Sequence, residues 1–520
     1  MITVGQALVQ GLVARGVEVV FGIPGVHTIE LYRGLPGSGI RHVTARHEQG
    51  AVFMADGYAR VSGKPGVAFV ITGPGLTNAL TAMAQARADS IPLLVISGVN
   101  RRDSLGRGLG LLHELPDQAG MVAALCPTLQ VTGPEALEGA LDAAFAALET
   151  GRPGPVHLEV PTDVMPLPCA PPAAQAMPAA PAPDPARLAE ASRRLAGAQR
   201  PVILAGGGAR RAGPELLALA ERLDAPVVQT TNARGLMHGH PLAVPASPSL
   251  DAVRALIAGA DALLAVGTEF GQTDYDMYVK GGLPDMAAMI RIDICGDQLS
   301  RHPAAVTLRA DAGAALAALL PAVPQAQGDG TARAAQARAA AWAELSPPMQ
   351  AQVALLNTLR DALPGAIIVG DSTQPVYAGN LHYDHDRPGG WFNAATGYGA
   401  LGFGPGAAVG AALAAPGVPV VCLIGDGGLQ FSPGELRTAV DEGLAITFLV
   451  WNNAGFREIA EAMQAAGTEV LGCSPSPLRM EPFAAACDLP FASILPNADA
   501  LRAALSMPQT GPRLIEIRVE

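Results

Sequence analysis

Two polar breaks, each at the end of an apolar run, mark where this chain could bind a metal ion. The first, Gly-Asp-Gly-Gly at 425–428, follows the apolar run 418–424. The second, Asn-Asn at 452–453, follows the apolar run 446–451. The residues between the two runs predict a helix, with turn-forming residues at both of its ends. Strand, helix and strand form a βαβ unit, whose two strands are parallel and adjacent.

Asp426 and Asn453 would therefore lie at one edge of a parallel sheet, where open α/β sheets bind ligands. A carboxylate and an amide oxygen suit Mg²⁺ but are too few to bind it alone, so ligand phosphates would complete the octahedron. Gly425, Gly427 and Gly428 allow backbone N–H groups to approach a diphosphate closely. The alternative is a tight turn followed by a turn-forming asparagine pair. The two motifs together favour the metal site.

The composition narrows the class of protein. The chain has 520 residues, of which 49% are hydrophobic and 15% charged, so about three domains with large cores are expected. A net charge of −12 argues against a nucleic-acid partner. No apolar run reaches about 18 residues, and the N-terminus lacks a basic and then apolar signal sequence, which predicts no membrane segment and a cytoplasmic location.

Short apolar runs alternate with helical patterns along most of the chain. This alternation predicts an α/β protein with three doubly wound parallel-sheet domains, at 1–165, 186–322 and 345–520. Segments rich in Pro and Ala at 166–185, and in Pro, Gly and Ala at 321–331, are the expected linkers. A Gly-Gly-Gly loop at 206–208 lacks the spacing of a dinucleotide-binding motif, so a tight turn is favoured there.

The Gly-Asp-Gly motif with the later Asn-Asn pair resembles the thiamine diphosphate (ThDP) enzymes of the pyruvate decarboxylase and acetolactate synthase type. The resemblance implies that the three domains are pyrimidine-binding, central and diphosphate-binding, and that ThDP and Mg²⁺ are the cofactors. It also implies that Asp426 and Asn453 are metal ligands, with the Gly455 backbone carbonyl as a third.

Glu48 lies between a predicted strand and helix, where an acidic residue would by itself only interact with the helix dipole. The segment HEQGAVFMADGYAR at 47–60 closely matches the family, and the resemblance gives Glu48 a catalytic role. A carboxylic acid on the aminopyrimidine ring nitrogen helps the exocyclic amine to remove the C2 proton of the cofactor, and burial raises its pKa for this task. In the family this residue reaches the neighbouring subunit, which implies a homodimer with shared sites and a dimer of dimers.

Several residues of the first domain are further candidates. The resemblance places Gly73 and Asn78 of a Gly-Pro-Gly loop against the aminopyrimidine, although a simple turn would have the same pattern. His27, after a Gly-x-Pro-Gly turn, is either a helix-start residue or a proton shuttle. His113 and Glu114 lie where pyruvate decarboxylases have His-His and acetolactate synthases have Gln-Glu, and they match neither.

The third domain adds residues that could hold the cofactor. Gln374 aligns with a glutamine that contacts the diphosphate in acetolactate synthases, although the polar residues at this strand end could also cap a helix. The resemblance assigns the Gly399 carbonyl and Leu401 to the pyrimidine, with Leu401 bending the cofactor so that its amine approaches C2. The alternative is a flexible glycine loop. The segment 267–272 lacks the charged residues of the FAD-binding pattern, which predicts a structural central domain without FAD.

The resemblance implies decarboxylation of a 2-oxo acid, because ThDP adds to the carbonyl and accepts the electrons when CO₂ leaves. The segments 110–118 and 370–380 are most similar to 5-guanidino-2-oxopentanoate (2-ketoarginine) decarboxylases, which form 4-guanidinobutanal. A guanidinium group needs carboxylate partners, and the candidates are Glu114, Asp371 and Glu458. The alternatives are a carboligase of the acetolactate synthase type without FAD and, less favoured, a nucleotide-binding oxidoreductase built on the Gly-Gly-Gly loop.

Overall fold

Continuous apolar runs form strands that are buried on both faces, as parallel strands between two helix layers must be. The computed structural model describes residues 1–176, 179–277, 279–282, 284–286 and 288–519. It contains three six-stranded sheets in which every neighbouring pair of strands is parallel. The predicted α/β architecture of three parallel-sheet domains is therefore confirmed. No helix among these residues is both long and apolar enough to cross a bilayer.

The N-terminal sheet has helices on both faces. Its strands are, in spatial order, Arg41–Thr44, Val19–Gly22, Gly66–Val70, Leu93–Val99, Pro155–Pro161 and Thr128–Gln130. The helices on one face are Val4–Ala14, Ile29–Gly34 and Leu137–Glu149. The helices on the other face are Glu48–Ser62, Pro74–Ala88 and Gln118–Ala123. Thr3 and Gln6 form a capping box at the first helix, and the short strands Ile2–Thr3 and Pro168–Cys169 pair antiparallel beside it.

The central sheet follows the same plan. Its strands are, in spatial order, Ala243–Val244, Val227–Gln229, Pro201–Ala205, Ala262–Val266, Met289–Asp293 and Val306–Arg309. One face carries the helices Pro185–Ala196, Gly213–Leu223 and Ala312–Leu319. The other face carries Asp251–Ala258 and Gly330–Glu344. The short helices of this region are Gln272–Tyr275 and Gly296–Ser300. Helix Gly330–Glu344 lies outside the three predicted domain ranges, and it packs on the central sheet.

The C-terminal sheet contains the predicted βαβ unit. Its strands are, in spatial order, Trp391–Asn393, Ile367–Gly370, Val420–Gly425, Ile446–Asn452, Arg513–Arg518 and Phe491–Ile494. One face carries the helices Phe403–Ala414, Glu435–Asp441 and Met480–Ala486. The other face carries Pro347–Ala362, Gln374–Leu381 and Ala498–Leu505. The helices Asp426–Leu429 and Arg457–Ala465 begin near the carboxyl ends of the two central strands.

The N-terminal and C-terminal domains share one hydrophobic core, which two crossing helices hold together. Helix Glu48–Ser62 crosses helix Phe403–Ala414 with backbone directly against backbone. A Cβ atom on Gly57 would lie 2.0 Å from the Ala407 carbonyl oxygen, and one on Gly410 would lie 1.8 Å from the Met54 carbonyl oxygen. Glycine at these positions therefore fixes how closely the two domains approach.

We expect Gly410→Ala to destabilise the protein by about 1–3 kcal/mol, because the added methyl group overlaps a backbone carbonyl that cannot move alone. The matched control is Gly139→Ala in helix Leu137–Glu149, where nothing lies within 4 Å of the new Cβ atom. That change should stabilise by about 0.5–1 kcal/mol. Thermal unfolding of both variants measures the difference, and equal shifts in Tm would contradict the close crossing.

Candidate active site

Three oxygen atoms converge at the carboxyl ends of the two central strands of the C-terminal sheet. The Asn453 Oδ1 atom lies 3.3 Å from Asp426 Oδ1 and 2.9 Å from the Gly455 carbonyl oxygen. The Asn453 Nδ2 atom donates to Gln374 Oε1 at 3.3 Å. Oxygens that face each other without a hydrogen repel, and a cation between them converts the repulsion into attraction. Hydrogen bonding alone favours the reversed amide, which would donate to both oxygens, so the convergence of three oxygens belongs to the orientation in which a cation is bound. The donor set thus fits a hard cation.

The Asp426 carboxyl is held in a desolvated position. Asp426 is buried, and burial raises its pKa although backbone N–H groups, including that of Asn453 at 3.4 Å, hydrogen-bond to it. The glycines around it have no room for side chains. A Cβ atom on Gly427 would lie 2.6 Å from the Phe456 ring, and one on Gly428 would lie 3.2 Å from Asp371 Oδ1. A bound cation would favour the ionised form of the Asp426 carboxyl, because a nearby positive charge offsets the loss of solvation on burial.

Gln374 begins the helix after the first strand of this group and is oriented by two donors. Its Oε1 atom accepts from Trp451 Nε1 at 3.2 Å and from Asn453 Nδ2. Its Nε2 group has no hydrogen-bond acceptor among the residues described and could donate to an anion. The preceding Thr373 is the N-cap residue but makes no side-chain capping hydrogen bond. The donors at this strand end therefore face the same region as the converging oxygens.

Asp371 has a structural role. Its side chain is fully buried, with Oδ2 accepting from the Gly404 N–H at 2.9 Å and Oδ1 from the Ser372 N–H at 2.8 Å. Burial raises its pKa to about 6, and the backbone N–H groups of Gly402 and Phe403 oppose that shift. Asp371 thus fixes the start of helix Phe403–Ala414. The sequence-based interpretation of Asp371 as a partner for a substrate guanidinium is wrong, because these contacts occupy its oxygens.

The loop that contains Gly399 and Leu401 is anchored by the N-terminal domain. The Ala400 N–H donates to Gln85 Oε1 at 3.1 Å, and Thr396 Oγ1 donates to Asp89 Oδ1 at 2.8 Å. Gly399 has a φ of +77° and open space around its Cα, and Leu401 is half-buried. Anchors at both ends argue against a freely flexible loop. They leave the Gly399 backbone and the Leu401 side chain at a defined position.

A second group of candidates lies in the N-terminal domain around Glu48. Glu48 is the first residue of its helix, and its Oε2 atom accepts from Asn78 Nδ2 at 3.0 Å. A Cβ atom on Gly75 would lie 3.5 Å from Glu48 Oε1, so the Gly-Pro-Gly loop packs beside the carboxyl. The N–H groups of the two residues before Glu48 donate to Glu435. These contacts fix where the helix starts, and so where the Glu48 carboxyl lies.

His27 and His113 form an edge-to-face pair next to the same loop. Their ring centroids are 5.5 Å apart, with an interplanar angle of 87°. His113 has a φ of +61°, and its carbonyl oxygen would lie 2.5 Å from a Cβ atom on Gly73. Burial and the nearby His113 lower the pKa of His27. Within the described part of the chain, the pair contains a buried ring nitrogen, His27 Nδ1, that has no hydrogen-bond partner.

The two remaining acidic candidates differ in their surroundings. Glu114 accepts the N–H groups of Leu109 at 3.0 Å and Leu111 at 2.9 Å, which lowers its pKa and closes its own glycine-rich loop. Glu458 is exposed in the first turn of helix Arg457–Ala465, and it forms no hydrogen bond or salt bridge within the described part of the chain. Partial desolvation and the neighbouring Glu461 raise the pKa of Glu458. Only Glu458 keeps both oxygens for a ligand.

The candidates therefore form two groups, one in each terminal domain. The first group contains Glu48, Gly73, Asn78 and the histidine pair. The second group contains Gln374, Asp426, Asn453 and Gly455. Among the described residues, no hydrogen bond or ring contact joins the two groups. Sequence reasoning missed Gln118, whose partners lie on the Gly73 loop and on the strands Leu93–Val99 and Pro155–Pro161 and leave no local pattern.

A parallel sheet with a glycine-lined strand end and nearby oxygen ligands is an arrangement suited to a diphosphate and a divalent cation. Comparison with protein-family models agrees. Residues 2–121, 188–319 and 371–517 match the N-terminal TPP binding domain, the central domain and the C-terminal TPP binding domain of thiamine pyrophosphate enzymes. The chain belongs to the thiamine pyrophosphate enzyme family, and ThDP (thiamine pyrophosphate) is its cofactor.

The curated relatives include a decarboxylase and several synthases. The chain is 46% identical over 489 residues to the probable 2-ketoarginine decarboxylase AruI of Pseudomonas aeruginosa, covering 91% of this chain and 86% of the relative. It is 32% identical over 475 residues to the acetolactate synthase isozyme 1 large subunit of Escherichia coli, covering 87% and 82%. It is also 32% identical over 486 residues to the acetolactate synthase of Mycobacterium bovis, covering 87% and 76%.

Proposed function

We propose that this protein is a ThDP- and Mg²⁺-dependent decarboxylase that converts 5-guanidino-2-oxopentanoate into 4-guanidinobutanal and CO₂. The observation that carries the proposal is the 46% identity over 91% of the chain to a probable 2-ketoarginine decarboxylase, against 32% to the acetolactate synthases. The experiment is a panel of 2-oxo acids scored by kcat/KM, in which the guanidino substrate should exceed pyruvate and benzoylformate.

Asp426, Asn453 and the Gly455 carbonyl would hold Mg²⁺, and Gln374 would donate to the diphosphate. The convergence of three oxygens supports the metal, and the glycines at 425, 427 and 428 support close approach of the diphosphate. The bound cofactor supplies the carbon that adds to the substrate carbonyl and the electron sink for CO₂ release. The protein residues would bind the cofactor, bend it at Leu401 and exclude water from it.

Glu48 would hydrogen-bond to the aminopyrimidine and share a proton with its ring nitrogen. Asn78, which donates to the Glu48 carboxyl at 3.0 Å, would keep one oxygen in place while the other faces the ring. His27 and His113 would hold and move protons on the substrate side, because one has a free ring nitrogen and a lowered pKa. Gly73 lies between these histidines and the Glu48 group, which supports a single reaction site for all of them.

Glu458 is our proposed partner for the substrate guanidinium. Among the described residues it is the candidate carboxylate that forms no hydrogen bond or salt bridge, and in the sequence it follows Gly455, a proposed metal ligand, by three residues. Glu114 and Asp371 already accept backbone N–H groups with both oxygens. A guanidinium and a carboxylate form charge-assisted hydrogen bonds, which select a cationic substrate over a neutral one.

We expect Glu458→Gln to lower kcat/KM for 5-guanidino-2-oxopentanoate by about 10²-fold, because the amide removes the charge but keeps the shape. An uncharged 2-oxo acid of similar length should change by less than about threefold. The control is Glu481→Gln, an exposed glutamate in the first turn of another helix of the same domain. Equal losses on both substrates would remove Glu458 from the specificity site.

The second candidate function is a carboligase of the acetolactate synthase type, favoured by the 32% identity to two acetolactate synthases. It predicts acetolactate from pyruvate instead of an aldehyde. The central domain does not favour the FAD of those enzymes, because the loop after Ala262–Val266 packs on glycine backbone and its one charged residue, Glu269, is already paired with Arg152 at 2.8 Å. A Cβ atom on Gly206 would lie 2.3 Å from the Gly267 carbonyl oxygen.

A homodimer with shared sites, and its further pairing into a dimer of dimers, belong to the same proposal. Large apolar side chains beside both groups of site residues are exposed in the single chain. Val26 and Leu112, next to the histidine pair, are each 61% exposed, and Ile459, next to Glu458, is 54% exposed. A second copy that brings the two groups together would cover them. Sedimentation at micromolar concentration should therefore give no monomer.

A further inference from the structure

The Gln118 side chain forms hydrogen bonds through both its oxygen and its nitrogen beneath the Gly-Pro-Gly loop. Its Oε1 atom accepts from the Gly73 N–H at 2.9 Å. Its Nε2 group donates to the Gly98 carbonyl oxygen and to Glu159 Oε2, both at 2.9 Å, and lies 3.3 Å from Ser97 Oγ. Gln118 is only 4% exposed, so water cannot replace these bonds. Loss of a buried partner leaves unsatisfied groups, which costs more than an exposed hydrogen bond.

Gly73 and Gly98, the two backbone partners, each contact one member of the histidine pair. Gly73 has φ 66° and ψ −106°, a conformation that favours glycine and that needs an external partner to hold it. The carbonyl oxygen of His113 would lie 2.5 Å from a Cβ atom on Gly73. The carbonyl oxygen of His27 would lie 3.0 Å from a Cβ atom on Gly98. A displacement of Gln118 would therefore move the loop and both histidines together.

We infer that Gln118 is a positioning residue that holds the Gly73 loop and the His27–His113 pair in the geometry required for substrate turnover. This inference rests on the proposed function, since it assigns the loop and the histidines to the reacting site. Gln118 itself does not touch the substrate. It acts through the Gly73 N–H and the Gly98 carbonyl, which it links to each other through a single rigid amide.

Two neighbouring strands, Leu93–Val99 and Pro155–Pro161, hold the Gln118 amide in place. Glu159 is 2% exposed and accepts from Gln118 through Oε2 and from Gln130 Nε2 through Oε1 at 3.0 Å. Ser97 in turn lies 2.7 Å from His157 Nε2. Burial raises the pKa of Glu159 and lowers that of His157 to about 4, so His157 stays neutral at pH 7. Gln118 thus connects the loop to a fixed polar layer within the sheet.

The test compares Gln118→Ala with Gln130→Ala. Both remove a hydrogen bond to Glu159, but only Gln118 contacts the loop. In the cofactor-free protein, amide exchange at Gly73 should quicken by about tenfold or more in Gln118→Ala and stay unchanged in Gln130→Ala. In the full enzyme, kcat should fall by about 10²-fold in Gln118→Ala while ThDP affinity changes by less than threefold, because the diphosphate is held elsewhere.

A second variant, Gln118→Glu, keeps the acceptor for Gly73 and places a carboxyl against Glu159. The facing titratable groups are Glu159, the adjacent Asp117 and, through Ser97, His157. Two facing carboxyls share one proton, which raises the pKa of the pair. Below that pKa the protonated carboxyl can still donate to Glu159, so activity should be kept at low pH. Above it both groups ionise and repel, so kcat should fall as the pH rises, unlike in the wild type.

The outcomes separate this inference from the proposed function. Wild-type protein that releases no CO₂ from any 2-oxo acid would overturn the function, while the amide-exchange comparison would still decide whether Gln118 holds the loop. Equal Gly73 exchange in Gln118→Ala and Gln130→Ala would overturn the inference. So would a Gln118→Glu enzyme with the kcat and pH profile of the wild type.

Discussion

Asp426→Ala is expected to abolish Mg²⁺-dependent ThDP binding while the protein remains folded. The variant loses the only charged member of the three converging oxygens, and the Asn453 amide and Gly455 carbonyl cannot hold a divalent cation alone. The fold should survive because Asp426 makes no salt bridge with any residue that the structure describes, and its removal also removes a buried carboxylate. The affinity for ThDP in the presence of Mg²⁺ should fall by at least about 100-fold.

Titration calorimetry with and without Mg²⁺ measures this loss. Asp499→Ala is the control, since Asp499 is an exposed acid in the first turn of helix Ala498–Leu505. It should bind ThDP as the wild type does. Unchanged cofactor affinity in Asp426→Ala, with circular dichroism showing a folded protein, would place the metal elsewhere.

The second large effect is expected for Glu48→Gln. The variant should still bind ThDP, because the metal site is intact and the new amide oxygen can still accept from Asn78. Exchange of the cofactor C2 proton should slow by about 10²–10⁴-fold, since an amide cannot share a proton with the pyrimidine ring. Exchange into deuterated water, quenched with acid and read by NMR, measures the rate. A wild-type rate would leave Glu48 as a helix-start residue.

The same variant tests whether two subunits share each site. Mixing Glu48→Gln with Asp426→Ala produces dimers in which one site has both changes and the other has neither. With free exchange at equal concentrations, about a quarter of the wild-type activity should return. Heterodimers that are isolated and yet inactive would show that Glu48 and Asp426 of one chain serve the same site.

The positions of the proposed metal ligands could be predicted from the sequence because they depend on one local βαβ unit. The ends of the apolar runs 418–424 and 446–451 lie within two residues of the ends of the observed strands, and parallel pairing brings Gly425 opposite Trp451. Asp426 and Asn453 follow directly from that register. The position of the strand ends therefore required no knowledge of the rest of the fold.

Two strands were not predicted from the sequence because several of their buried residues are polar. The strand Pro155–Pro161 contains His157 and Glu159, and the strand Arg513–Arg518 contains Arg513 and Glu516, all buried. Hydrophobic pattern alone does not predict such strands, since their polar side chains are paired only through distant parts of the chain. The role of Gln118 could not be recognised in the sequence for the same reason, because its hydrogen-bond partners lie in distant parts of the chain.

The roles of the acidic candidates also depended on contacts that sequence does not contain. Asp371 accepts a backbone N–H group from the start of helix Phe403–Ala414 and Glu114 accepts one from its own loop, and only the structure shows these contacts. Glu458 is distinguished from them by the absence of such partners among the described residues. A carboxylate in a sequence thus indicates charge, and the backbone around it decides whether that charge is available to a ligand.

The most direct test of the central claim is the product balance with 5-guanidino-2-oxopentanoate in the presence of ThDP and Mg²⁺. CO₂ release and 4-guanidinobutanal are measured in the same reaction, and a parallel reaction contains pyruvate. The proposed function predicts equal amounts of CO₂ and aldehyde, absolute dependence on ThDP, and a higher kcat/KM than with pyruvate. Acetolactate as the main product from pyruvate, with no aldehyde from the guanidino substrate, would contradict it.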